Sequence, residues 1–272
     1  MDASPFRYSL NASTIRPTPL LDQIRVAGHA GYDGIELWHD AIDGFLEQGG
    51  ALKDIRQCLD DNALHVPSTI YLADWFDATD GDLDRVMSEC ERRMEQAATL
   101  GAPYVIAGPP MGSANIQIGA ERYRQLLDRG ERLGALPAME FLGFVEQVNT
   151  IEAAIGILNQ ANDSRGTTIL DPFHIFRGGG SVDSIALLQP QQIAVSHFND
   201  TPAQPKRLLQ HDEHRVMPGD GHLDLRRYVQ LLKNIGFHGW LSLELFNASY
   251  WAQDPLETAR LGLEKMRALA EG

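Results

Sequence analysis

The chain has 272 residues, a formal net charge of −14 and 43% hydrophobic residues. This length and apolar content suit one large α/β barrel with a substantial core. The negative charge argues against a nucleic acid or an anionic membrane as partner, because both are bound through basic side chains.

Short apolar runs alternate with longer amphipathic stretches along the chain. Taken in order, the apolar runs predict eight strands, over 6–10, 34–38, 64–70, 104–107, 137–142, 168–170, 193–198 and 240–246. The amphipathic stretches predict helices over 18–28, 49–62, 82–100, 120–133, 150–159, 182–188, 223–234 and 255–270. Eight strand–helix units of about 34 residues each predict a single-domain (β/α)8 TIM barrel over 1–272.

An open, doubly wound parallel sheet is the alternative architecture. Its phosphate-binding turns are missing from the sequence, because no GxGxxG follows the first strand and no GxxxxGK[ST] occurs anywhere. The longest loop is predicted over about 199–221, after strand seven, and loops of that length in compact domains are often functional.

Four consecutive predicted strands each carry an acid or an imidazole near their C-terminal end. These residues are Glu140, Asp171, His197 and Glu244. Catalytic groups of such barrels come from the C-terminal ends of the strands, so we expect the four side chains to converge. Three carboxylates in one cavity repel each other, and a divalent cation removes that repulsion. The ligand set favours Mn²⁺, with Mg²⁺, Co²⁺ and Zn²⁺ as alternatives.

Five segments resemble the xylose isomerase-like TIM-barrel family of sugar isomerases and epimerases, and within it the inosose isomerases. They are MEFLG around Glu140, ILDPFH over 169–174, SHFND over 196–200, RVMPGDG over 215–221 and LSLELFNASYW over 241–251. The resemblance covers most of the chain and is densest after Pro137. The pattern over four strands is specific for the family and only weakly specific for a substrate.

The resemblance implies a role for each matching residue. Four residues match the family's metal ligands: Glu140, Asp171, His197 and Glu244. Glu140 and Glu244 also match the pair of glutamates that exchange protons with substrate carbons. His174 and Arg215 match residues that contact substrate oxygens, and Glu146 lies where some epimerases use a further glutamate.

The same chemistry follows from the residue types. A metal ion bound to a carbonyl and a neighbouring hydroxyl stabilises an enediolate, while two carboxylates act as base and acid. We therefore predict a divalent-metal-dependent isomerase or epimerase of a keto-polyol, either an inosose or a ketose. Loss of a β-hydroxyl would instead make the site a dehydratase of the 3-dehydroshikimate type. A non-catalytic sugar-binding barrel is the third interpretation.

Several residues near other strand ends leave two interpretations open. Asn11 either donates to a substrate hydroxyl or bonds loop backbone. Glu36 and His39 either face the barrel mouth or cap helices and join the surface. Four aromatic residues either form a wall over a sugar ring or pack within loops: Trp38, Tyr71, Trp75 and Phe76.

Other uses of the fold fit the sequence less well. The DNA-repair enzyme endonuclease IV needs further histidines at the ends of strands three and four, which read PST and IAG here. Cys58 and Cys90 form no disulfide framework, and no apolar run approaches the ~20 residues of a membrane span. We therefore expect a cytoplasmic protein with a small-molecule substrate, and the sequence leaves a homo-oligomer open.

Overall fold

Eight parallel strands form a closed barrel in the computed structural model, which describes residues 4–79 and 81–272. The strands follow one another around the barrel in chain order, and the eighth pairs with the first. Their bounds are β1 Arg7–Asn11, β2 Gly34–Trp38, β3 Thr69–Leu72, β4 Tyr104–Ala107, β5 Leu136–Glu140, β6 Thr167–Leu170, β7 Ile193–Phe198 and β8 Trp240–Leu243. The predicted (β/α)8 barrel is confirmed. Residues 1–3 and 80 of the predicted domain lie outside the described residues.

Helices surround the barrel and connect its strands. They are α1 Leu20–Ala30, α2 His39–Glu47, α3 Leu52–Asp61, α4 Leu83–Thr99, α5 Ile116–Leu133, α6 Ile151–Ala161, α7 Pro172–Gly178, α8 Leu225–Asn234, α9 Ala248–Trp251 and α10 Pro255–Ala270. None of those in the described part of the chain combines the length and the apolar character needed to cross a bilayer.

Most predicted elements occur close to their predicted bounds, and the differences have local causes. The run 64–70 is only partly strand, because His65 makes an isolated bridge to Gly34 and regular pairing starts at Thr69. The predicted helix over 182–188 is a 3₁₀ helix, Val182–Leu187. Helices α2, α7 and α9 were not predicted. The first begins directly after β2, the second is separated from β6 by Asp171 alone, and the third is only four residues long.

The barrel interior changes from apolar to polar towards the C-terminal ends of the strands. Ala138, Ile169 and Val195 belong to a buried apolar cluster inside the barrel. Alternate residues of a strand share one face, so the residue two positions further along each strand points into the same interior. Those next positions are occupied by Glu140, Asp171 and His197. The apolar cluster is thus the layer on which the polar site is built.

Candidate active site

The four residues expected to converge do so at the C-terminal mouth of the barrel. Glu140 ends β5, Asp171 and Glu244 directly follow β6 and β8, and His197 lies in β7. Each offers a ligand atom, and these atoms all lie within 4.8 Å of one another. All four side chains are buried. We call Glu140, Asp171, His197 and Glu244 the four-residue cluster.

His197 is at the centre of the four-residue cluster. Its Nδ1 lies 2.9 Å from Glu244 Oε2, 3.4 Å from Glu140 Oε1 and 3.6 Å from Asp171 Oδ2. Within the described residues, neither of its nitrogens has a well-aligned hydrogen-bond partner, although both are fully buried. A buried nitrogen without a hydrogen bond and surrounded by carboxylate oxygens fits a metal ligand better than a structural histidine. The cluster therefore suits a divalent ion with one nitrogen and three oxygen ligands.

Burial and mutual charge act against each other on these groups. Burial lowers the pKa of His197, but the carboxylates around it, first Glu244, outweigh burial and raise that pKa well above its ordinary value. Burial raises the pKa of Glu140, and the charge of Glu244 raises it further. Burial acts to raise the pKa of Asp171, but this effect is outweighed. The positive charge of Arg215 contributes most to holding that pKa well below its usual range. The pKa shifts of Glu140 and Asp171 have opposite signs, so these two carboxylates lie in different electrostatic environments.

Arg215 bridges two members of the four-residue cluster. Its Nη1 lies 2.7 Å from Asp171 Oδ2 and 2.6 Å from Glu244 Oε2. Its Nη2 lies 2.7 Å from Asp212 Oδ1 and 3.1 Å from His174 Nε2. The guanidinium is fully buried, and three carboxylates compensate its charge.

The loop that carries Arg215 is held by one carboxylate. Asp200 follows β7 and accepts hydrogen bonds from the backbone N–H groups of Gly219, Gly221 and Leu223. A Cβ at Gly221 would lie 2.2 Å from Asp200 Oδ1, so this close approach requires glycine. Asp200 and Val216 also form an antiparallel bridge. These contacts fix the backbone next to Arg215.

A cavity of about 160 Å³ opens above the four-residue cluster. Its polar lining is Glu140, His174, Asp212, Arg215 and Glu244, and its apolar lining is Trp38, Ile70, Tyr71, Leu142, Phe144 and Phe246. His174 and Arg215, which the sequence analysis names as substrate contacts, both line this cavity. Of the four aromatic residues considered from the sequence, two line the cavity, whereas Trp75 and Phe76 are buried in the core and pack on each other.

Two other predicted substrate contacts lie elsewhere. Asn11 is buried beneath the cavity, and its Nδ2 donates to Glu36 Oε2 at 3.2 Å and to Glu244 Oε1 at 3.0 Å. Its Oδ1 accepts from Trp38 Nε1 at 2.9 Å. Glu146 is exposed and is not among the residues that line the cavity. Asn11 therefore contacts the site through the carboxylate of Glu244, and the described lining of the cavity does not include Glu146.

Glu36 and His39 face neither the cavity nor the surface. Glu36 is fully buried inside the barrel, with Oε2 3.3 Å from His197 Nε2. Burial raises its pKa, but the charge of His197 and hydrogen bonds from serine hydroxyls outweigh burial, and the pKa lies below its ordinary value. His39 is buried against Gln96 and Thr69, and burial lowers its pKa to about 4.

Sequence reasoning missed one polar contact of the cluster. Asn199 Nδ2 donates to both carboxylate oxygens of Asp171, at 3.2 Å and 3.1 Å. The available signal is strand alternation, since Asn199 lies two residues after His197 and so continues the inward face of β7.

Comparisons of this chain with known proteins agree on one family. A family model described as xylose isomerase-like TIM barrel matches residues 24–269. The inosose isomerase of Bacillus velezensis is 29% identical over 266 residues, which cover 95% of this chain and 94% of that protein. The 3-dehydroshikimate dehydratase of Pseudomonas aeruginosa is 28% identical over 93% of this chain but only 40% of its own length. A crystal structure of the IOLI protein with a bound zinc atom superposes with a TM-score of 0.89 at 26% identity and covers 98% of both chains.

Proposed function

The chain belongs to the xylose isomerase-like TIM barrel family, and from this premise we propose that it is a divalent-metal-dependent isomerase or epimerase of a keto-polyol, with an inosose as its leading substrate. The observation that carries the proposal is the four-residue cluster, whose ligand atoms lie within 4.8 Å of one another beneath a cavity of substrate size. The inosose isomerase relative, which aligns over almost the whole of both chains, supports the choice of substrate.

The cavity presents two carboxylates for proton transfer. Glu140 and Glu244 come from β5 and β8, which flank β6 and β7, so they reach the cavity from two sides. One removes the proton from the carbon beside the ketone, and the other returns a proton to the neighbouring carbon or to the opposite face. A divalent ion bound by the cluster acts as a Lewis acid that lowers the cost of the enediolate charge. His174 and Arg215 orient the substrate oxygens from the third side.

The size of the cavity supports a single small ring. Its volume of about 160 Å³ is close to the ~150 Å³ of an engineered cavity known to accept benzene. Trp38, Tyr71, Phe144 and Phe246 supply flat apolar surfaces around it, which suit the C–H faces of a polyol ring. An oligosaccharide or a nucleotide would exceed this space.

Charge favours a neutral substrate over 3-dehydroshikimate, which carries a carboxylate. Arg215 is the single cationic side chain among the described residues that line the cavity. It already contacts Asp171, Asp212 and Glu244, so the described lining offers no free lysine or arginine for a carboxylate or a phosphate of the substrate. The isomerase is therefore the first proposal, and the dehydratase is the second because a dehydratase relative aligns with 93% of this chain.

We also propose that Mn²⁺ is the native ion. We propose further that the protein acts in the cytoplasm, in carbohydrate metabolism. Three hard carboxylate oxygens and one imidazole support Mn²⁺, although zinc is the metal bound in the IOLI structure. Cys58 and Cys90 are buried free thiols, which suits a reducing compartment.

Solvent exchange tests the proposed reaction directly. The protein is incubated in D₂O with Mn²⁺ and a panel of inososes and ketoses, and the products are examined by NMR. We expect deuterium at the carbon beside the ketone of at least one inosose. Loss of water from 3-dehydroshikimate to give an aromatic dihydroxybenzoate that absorbs in the ultraviolet would favour the dehydratase. Absence of exchange across the panel with Mn²⁺ bound would favour a non-catalytic sugar-binding barrel.

A further inference from the structure

Glu36 is a buried carboxylate that the proposed proton transfers do not use. It accepts hydrogen bonds from the hydroxyl groups of Ser68 and Ser242 and from Asn11 Nδ2. No lysine or arginine contacts it in the described part of the chain. A carboxylate in such a place is costly unless something compensates its charge. The remaining neighbour is the imidazole of His197, with Nε2 3.3 Å from Glu36 Oε2.

The two nitrogens of His197 face different surroundings. Nδ1 points to the carboxylates of the four-residue cluster, and Nε2 points away from them to Glu36. An imidazole nitrogen binds a metal ion through its lone pair, so a neutral imidazole that binds through Nδ1 must carry its proton on Nε2. A carboxylate next to Nε2 favours that tautomer and holds the plane of the ring.

We propose that Glu36 is a positioning residue, which keeps the proton of His197 on Nε2 and leaves Nδ1 open to the divalent ion. The inference rests on the metal centre of the proposed function. Two hydroxyl groups hold the Glu36 carboxylate: that of Ser68, which directly precedes β3, and that of Ser242 in β8. Asn11 donates to both Glu36 and Glu244, so one amide joins the positioning carboxylate to a member of the four-residue cluster.

A merely structural role makes a different prediction. If Glu36 served only to satisfy the hydroxyl groups of Ser68 and Ser242, its replacement would destabilise the barrel without changing the metal affinity of the folded protein. A positioning role requires metal affinity to fall in protein that is still folded. Outer residues that orient metal-binding histidines change metal affinity by about 10–100-fold when they are replaced.

Calorimetric titration of chelator-treated protein with Mn²⁺ tests the inference. We expect Glu36→Gln to raise the Kd for Mn²⁺ by about 10–100-fold, because glutamine keeps the size of the side chain and loses the charge that holds Nε2–H. His39→Gln is the matched control, since His39 is buried close by in the chain and contacts Gln96 and Thr69 rather than the cluster. It should bind Mn²⁺ as the unaltered protein does. A folded Glu36→Gln variant with an unchanged Kd would overturn the inference.

A measurement on the unaltered protein covers the case in which Glu36→Gln fails to fold. Long-range ¹H–¹⁵N correlation spectra of the Zn²⁺-loaded protein report which nitrogen of His197 carries the proton. We expect the proton on Nε2 and the metal on Nδ1, and the reverse assignment would overturn the inference. Unaltered protein that binds neither ion would contradict the proposed function as well, whereas normal binding with an unaffected Glu36→Gln variant would contradict only the role of Glu36.

Discussion

Glu140 and Glu244 line the same cavity with different contacts. Glu244 lies against Arg215 Nη1 at 2.6 Å and accepts from Asn11 Nδ2 at 3.0 Å. For Glu140, the charged neighbour within 4 Å in the described part of the chain is His197, at 3.4 Å. Burial raises the pKa of Glu140, and the charge of Glu244 raises it further. This asymmetry is what an acid and base pair requires.

The first prediction concerns these two carboxylates. Glu140→Gln and Glu244→Gln should each lower the rate of solvent deuterium exchange by about 10²–10⁴-fold, because an amide cannot accept the substrate proton. Exchange in the presence of saturating Mn²⁺ measures the effect. Glu264→Gln, on the exposed side of α10, is the control and should exchange at the unaltered rate. Full exchange by either cavity variant would remove that carboxylate from the mechanism.

At the scale of elements, β6 and α7 meet at one residue with two functions. Asp171 is the N-cap of α7, and its Oδ1 accepts from the backbone N–H groups of Phe173 and His174. Its Oδ2 faces His197 and Arg215. The start of the helix thus orients the carboxylate that the four-residue cluster requires.

The second prediction separates these two functions. Asp171→Asn should keep the cap, because asparagine caps helices as well as aspartate does, but should weaken Mn²⁺ binding at least about 10-fold. Asp171→Ala should also lose the cap, at a further cost of about 1 kcal/mol in the free energy of unfolding. Calorimetric titration and thermal unfolding of the metal-free proteins measure the two effects. An asparagine variant with normal affinity would show that Asp171 is no ligand.

The third prediction concerns the junction of β2 and α2, where His39 is buried. Its folded pKa of about 4 lies below the unfolded value of 6.5, so its contribution to stability is fully present above pH 6.5 and is lost as pH falls through 4. The free energy of unfolding should therefore fall by about 2 kcal/mol more between pH 7 and pH 5 than it does in His39→Gln. Urea unfolding at both pH values measures this difference. Equal slopes for the two proteins would contradict a buried neutral imidazole.

The elements show which features a sequence can predict and which it cannot. Glu140, Asp171, His197 and Glu244 were predictable because a parallel barrel brings the ends of its strands together whatever the loops do. The helix α7 could have been found from Asp171 and Pro172, a capping residue followed by proline at the first helical position.

Contacts across the barrel and along the long loop were harder to predict. The approach of Glu36 to His197 depends on the register of strands that are far apart in sequence, and no local pattern reports it. The position of Arg215 depends on the hydrogen bonds of Asp200 to a non-repetitive loop. Tertiary geometry, rather than periodicity, decides both.

At the scale of the whole molecule, the four-residue cluster concentrates negative charge inside a chain whose net charge is already −14. A bound divalent ion relieves that repulsion and joins β5, β6, β7 and β8 at their C-terminal ends. Binding to the folded state alone must also stabilise it.

The fourth prediction is therefore a metal-dependent melting temperature. At a free Mn²⁺ concentration 100 times the Kd, the ion should add about 2.7 kcal/mol to the free energy of unfolding. For a domain of this size that corresponds to a rise of roughly 5 °C in the melting temperature. Thermal unfolding with Mn²⁺ and with excess chelator measures the shift, and at the same Mn²⁺ concentration Asp171→Asn should lose at least about half of it. The same melting temperature under both conditions would argue against a metal in the fold.

Anomalous diffraction from a crystal grown with Mn²⁺ tests the central claim most directly, because it locates the ion without reference to activity. The account predicts one anomalous peak at the mouth of the barrel, about 2.0–2.4 Å from the ligand atoms of the four-residue cluster, with Nδ1 of His197 among them. A peak elsewhere, or a cluster whose side chains point away from the ion, would contradict the account.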